Sequence, residues 1–225
     1  MTQETCWTLL RHAAAGDGGA RSEFGRRYLA VVSKYLRTRW QGRLSVDEID
    51  DAVGEVFVEC LKPGGLLERA CEGRIQSFHA CLYGTVRNVA LRFEERRAHR
   101  LDRPGSDSFH PDELAQDDES LSAVFERAWA REMMREAAEL HRERARSAGV
   151  DAEKRVRLLD LRFEQGLPIR KIAELWGEEA ADLHHAYARA REEFRDALRN
   201  VVAYHDPGPN EGVEQECRRL LGLLQ

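Results

Sequence analysis

Apolar residues recur three and four positions apart in block after block of this chain, and glycine or proline closes most of the blocks. In ARSEFGRRYLAVVSKYLRTRW, for example, Phe24, Tyr28, Val31, Val32, Tyr35 and Leu36 keep that rhythm. An α-helix turns once per about 3.6 residues, so this spacing lines one face with side chains that avoid water. A half-buried strand would need strict alternation instead. The pattern predicts an all-α fold, and the abundance of Ala, Leu, Arg and Glu, all good helix formers, agrees with it.

The N-terminal half divides into several such helices. Trp7, Leu10 and Ala14 are expected on one side of a first helix that stops at Gly16. A third helix should open with a capping box, since Ser45 is followed three residues on by Glu48. Its apolar stripe is Ile49, Val53, Val56, Phe57 and Cys60, which turns Glu48, Asp51, Glu55 and Glu59 outward. Like charges at this spacing cost about 0.2 to 0.5 kcal/mol per pair. Residues 46–61 include no basic side chain, so the face is either solvated surface or a dock for a basic partner helix.

A long helix is expected over 75–100, with Phe78, Leu82, Val86, Val89, Ala90 and Phe93 on its buried side. Arg87, Arg92, Arg96 and Arg100 occupy other sides, and Glu94 and Glu95 cancel only part of the charge. Arginine near aromatic rings suits single-stranded nucleic acid, because cations hold phosphates and each stacked base contributes about 1 to 3 kcal/mol. Arg and Glu on an exposed helix are also ordinary soluble surface.

The breaker-rich segment DRPGSDSFHPDELAQDDES, 102–120, reads as a linker between two folded halves. A long polar helix over 121–146 should follow, then SAGVDAEK as a turn. Leu158, Leu161 and Phe163 are expected to end an apolar face, GLP to make a corner, and IRKIAELW to give a second helix that Gly177 breaks. Leu183, Tyr187, Ala190, Phe194 and Leu198 then carry a longer helix. This is helix-turn-helix spacing, which suits a DNA reader and equally any three-helix bundle. Beyond HDPGPNEG, Val213, Cys217, Leu220 and Leu221 predict a short amphipathic helix that packs back or binds a regulator.

Several function classes lose support. No apolar run approaches the roughly 18 to 20 residues of a membrane span, and no basic start precedes an apolar core as in a signal peptide. Five cysteines without a CxxC pair fit reduced thiols in a cytoplasmic protein. The clusters HAC and LHH sit in neither zinc-like spacing nor a catalytic context. The expectation is a non-enzyme without cofactor or metal.

Four stretches, in order over roughly residues 5–200, resemble the small bacterial sigma factors of the extracytoplasmic-function (ECF) group. LLRHAAAGDGGARSEFGRRY is similar to that family's opening pattern, and DEIDDAVGEVFVECL resembles its helix that docks on the polymerase β′ clamp. FHACLYGTVRNVALRFEERRAHR resembles the helix that melts and reads the minus-ten element; LRFEQGLPIRKIAELWG with ARAREEFRDALR resembles the minus-thirty-five reader. The resemblance implies two helical domains joined by a linker, the second carrying a helix-turn-helix. Residues 1–101 would form the polymerase-docking and melting domain, 102–150 the linker and connecting helix, 151–204 the helix-turn-helix domain, and 205–225 an extension.

It implies a factor that binds core RNA polymerase, through the β′ clamp and β flap, and recognises and melts promoter DNA. An anti-sigma factor would be a further partner. Asp47, Asp50, Asp51 and Glu55 become polymerase contacts, and Tyr83, Arg87, Asn88, Arg92, Arg96, Arg97 and Arg100 minus-ten contacts. Arg170, Lys171, His184, His185, Arg189 and Arg191 become minus-thirty-five contacts. Two features depart from the family. Cys81 replaces a usual Trp, and Glu178, Glu179 and Asp182 crowd the start of the recognition helix, where they repel phosphate. A stand-alone helix-turn-helix regulator and a sigma-like adaptor without promoter activity are the alternatives.

Overall fold

The computed structural model describes residues 6–72, 74, 77–101, 118–206 and 209–224. Among these residues the fold is all-α, with no strand, and no helix is long and apolar enough to cross a membrane. Ten helices follow one another: α1 (Cys6–Ala14), α2 (Gly18–Trp40), α3 (Val46–Leu61), α4 (Leu66–Cys71), α5 (Phe78–Leu101), α6 (Asp118–Ala148), α7 (Val150–Phe163), α8 (Ile169–Trp176), α9 (Ala180–His205) and α10 (Asn210–Gly222). Of the expected linker at 102–120, residues 102–117 lie outside the described residues and 118–120 already belong to α6; the expected helix start at Ile75 also lies outside the described residues.

Local chemistry sets the boundaries. Asp17 caps α2, its carboxylate accepting the Ala20 N–H at 2.6 Å. The capping box of α3 forms as expected, with the Glu48 N–H donating to Ser45 Oγ and the Ser45 N–H donating back to Glu48. Gly177 ends α8 at φ 67°, a left-handed conformation that favours glycine.

The chain falls into two compact units. The first comprises Met1–Glu132, Tyr204–Pro207 and Arg219–Gln225. Its core is aromatic. Phe24, Tyr28, Tyr35, Trp40, Phe78 and Phe125 are all buried, and Tyr28 stacks on Trp129 at 5.8 Å. Into this core α2 and α5 bring one ion pair. Arg39 Nε and Nη2 donate to the Glu94 oxygens at 2.7 and 3.0 Å, and Trp40 Nε1 donates to the same carboxylate at 2.8 Å. Burial opposes the charge on Arg39, but Glu94 and Tyr35 more than offset it and hold the guanidinium protonated.

The second unit comprises Met133–Ala203 and Gly208–Arg218. Leu158, Ile169, Ile172, Ala173 and Leu183 form its α7–α8–α9 core, with Leu161, Leu167, Trp176 and Tyr187 packed around it. Of α10, this unit holds the buried Val213 and Cys217; Leu220, buried, and Leu221, exposed, belong to the first unit.

Several expectations fail for identifiable reasons. SAGVDAEK is not a turn: Gly149 alone breaks the helix at φ 101°, and α7 starts at Val150. In α1 the buried set is Cys6, Leu10 and Ala13 rather than Trp7, Leu10 and Ala14, a shift of one position around the helix. Phe163, expected on an apolar face, is 69% exposed at the end of α7, with the Tyr187 ring beside it. Phe93 is half-buried, and Glu94 takes the inward position beside it.

Candidate nucleic-acid interface

The charged surfaces of α3 and α5 meet. Arg96 Nη1 and Nη2 donate to the two oxygens of Glu55 at 2.9 and 2.5 Å. Arg92 pairs with Glu59 at 3.1 Å, and Arg97 donates to Glu48. Numbers rise along α3 as they fall along α5, so the helices run antiparallel and the pairs form a ladder of three rungs. The like-charge penalty implied by the spacing of Glu48, Glu55 and Glu59 is thus relieved across the helix pair rather than along α3.

The ladder tunes its own charges. The hydrogen bond from Arg96 to Glu55 raises the Arg96 pKa. The Ser45 N–H holds the Glu48 carboxyl below its ordinary value, and Arg97 adds to the effect. Glu59 is lowered first by Lys62, then by Arg92. Side chains of Arg92 and Arg96 remain 45% and 48% exposed. Exposed pairs of this kind contribute about 0 to 1 kcal/mol each.

The other expected contacts separate into groups. Asp47 and Asp51 are exposed and carry no ion pair among the described residues, while Asp50 reaches Arg37 at 3.4 Å. Asn88 is exposed and Arg87 half-buried on α5. Tyr83 turns inward, its ring 5.9 Å from Tyr35 and 5.1 Å from Phe125. Phe93 packs 5.2 Å from Trp40, with Arg96 over its ring. The aromatics that suggested base stacking therefore help to close the core, and the outward face of α5 is polar. The side chain of Arg100 lies outside the described residues.

Beside Asn88 and Arg92 lies a groove of about 510 Å³ that the sequence pattern did not reveal. Thr85 and Asn88 line one wall, and Lys62, Gly64, Gly65 and Arg69 the other. Gly65 is required there, because an added Cβ would lie 2.5 Å from the Glu59 carbonyl oxygen. The signal was the KPGG turn at 62–65, followed by a helix, α4, too short to show a period.

In the second unit α8, the Gly177 corner and α9 present a separate surface. Arg170, His184 and His185 are exposed, and Arg170 has no ion-pair partner among the described residues. Lys171 pairs with Glu174 at 2.8 Å, Arg189 with Glu193 at 3.2 Å, and Arg191 lies 5.8 Å from the Tyr187 ring centre. Glu178 is neutralised by Lys154, which removes one of the acids that would repel phosphate.

No group of three or more His, Cys, Asp or Glu is placed to hold a metal among the described residues. Burial pushes the thiols of Cys6 and Cys60 up to about 12 and that of Cys217 to about 11, which leaves them un-ionised at neutral pH. Compared with family models, with curated proteins and with solved structures, the chain finds no match.

Proposed function

We propose that this chain is a transcription initiation factor of the ECF sigma type, which binds core RNA polymerase and recognises and opens promoter DNA. The observation that carries the reading is the α3–α5 pair. One side offers the unpaired carboxylates of Asp47 and Asp51 to a basic partner helix. The other offers Asn88, Arg92 and Arg96 beside a groove of about 510 Å³, a size that takes a small ligand or an unstacked base. Arginines hold the phosphates of the displaced strand, and capture of bases outside the stack supplies free energy for opening.

The second unit supports the same reading. As a helix-turn-helix, α8 and α9 would place His184 and His185 toward the major groove of the upstream element, with Arg170, Lys171, Arg189 and Arg191 toward backbone phosphate.

Retention on immobilised core polymerase and run-off transcription from a mapped promoter test this. The wild-type chain should be retained and should direct a specific transcript. Asp47→Lys with Asp51→Lys should release it from polymerase without unfolding it. Retention of that variant at wild-type strength, or a wild-type chain that yields no promoter-specific transcript, overturns the reading.

A further inference from the structure

Three of the arginines expected to hold DNA phosphate are each already engaged by a carboxylate of α3. A carboxylate presents two oxygens to a guanidinium much as a phosphate does, and a phosphate takes the same bidentate geometry. We propose that Glu48, Glu55 and Glu59 are built-in competitors of phosphate, which hold Arg97, Arg96 and Arg92 until a basic partner on α3 takes the carboxylates. The inference rests on the reading of α5 as a nucleic-acid surface and adds its control. In the free chain, a single strand has to displace three glutamates. With α3 engaged by a basic helix, the arginines are released toward the strand.

Burial and geometry favour exchange over simple bracing. The arginine sides of the rungs are 45%, 48% and 28% exposed and the glutamate sides 22%, 27% and 37%, so a rung that parts leaves both charges within reach of water. The Arg39–Glu94 pair on the same helix, at 4% and 11%, would not. The Glu48 rung is also tied to the start of α3, since the carboxylate that receives Arg97 closes the capping box with Ser45. A partner seated on the first turn of α3 therefore acts on the ladder directly.

The test is the affinity of the full-length chain, without polymerase, for a fluorescein-labelled single-stranded DNA, followed across a salt series. The variant Glu48→Gln, Glu55→Gln, Glu59→Gln should bind on the order of tenfold more tightly than wild type. Its logarithmic salt slope should be steeper by about 2, from roughly 0.7 per added phosphate contact. A variant of equal charge, Asp47→Asn, Asp50→Asn, Asp51→Asn, should show neither change. Replacing Arg92, Arg96 and Arg97 by Gln in the first variant should erase the gain.

Equal gains in both charge-matched variants, or no gain in the first, overturn the proposal. Should the triple variant melt early, Glu55→Gln alone keeps the test open, with a smaller gain expected and its absence decisive. A gain in strand affinity without promoter-specific transcription on core polymerase would sink the initiation-factor reading and leave the competition standing. Transcription without the gain would do the reverse.

Discussion

The two sides of α5 carry the same chemistry to opposite ends. Toward α2, Glu94 meets Arg39 and Trp40 in a dry seam, with every bond short and nearly all surface gone. Toward α3, Arg92, Arg96 and Arg97 meet glutamates in a seam that water still reaches. A buried pair resists being parted because the charge left behind is stranded in a medium of low polarity. A half-wet pair can change partners at little cost. One Arg–Glu contact therefore holds the helix in place, while the other three can change partners, as the proposed capture of a strand requires.

The inner seam should give the largest effect. Glu94→Ala strands Arg39 and should destabilise the protein by about 3 to 5 kcal/mol in urea unfolding, whereas a loss below about 1 kcal/mol would erase the contrast between the seams. A cluster of intermediate burial in the second unit sharpens it. His141 on α6 is buried 3.6 Å from Glu193 of α9, with Arg155 and Asp160 of α7 nearby and the Phe194 ring beside it. Burial lowers its pKa, partly opposed by Glu193, so the folded state binds its proton less readily than the unfolded chain. That contribution to stability is complete above the ordinary histidine value near 6.5 and is lost as pH falls below it. The slope is at most about 1.4 kcal/mol per pH unit for one proton. Urea unfolding between neutral and mildly acidic pH should show that slope, and His141→Gln should flatten it. The outer seam should give the least. Glu55→Gln should change stability by less than about 1 kcal/mol, with the difference vanishing at high salt. A larger, salt-insensitive loss would make the ladder a structural brace.

How much was legible depended on how local the cause was. The capping box of α3, the stops at Gly16 and Gly177 and the stripe from Ile49 to Cys60 need only near neighbours, and each appeared as expected. Phe57, at the margin of that stripe, is only half-buried. α4 escaped notice because six residues show no period, and the start of α7 was placed too late because one glycine is enough to break the helix. Tyr83 was expected among the strand contacts, and Phe93 on the buried side. What turns them inward is Tyr35, Phe125 and Trp40, brought from distant positions. Glu94 and Glu95 are indistinguishable as neighbours in sequence, yet one is sealed in the core and the other lies in solvent.

From sequence alone follow the helical class, most of the helix starts and stops, and the presence of an acidic face and a basic stretch about 25 residues apart. All of these come from backbone preferences and spacing within a turn or two. Whether those charges face solvent, a partner or each other was decided only when α3 and α5 came together antiparallel, with Glu48, Glu55 and Glu59 opposite Arg97, Arg96 and Arg92. Coulomb attraction and desolvation depend on distance and burial, and these are properties of the packed molecule.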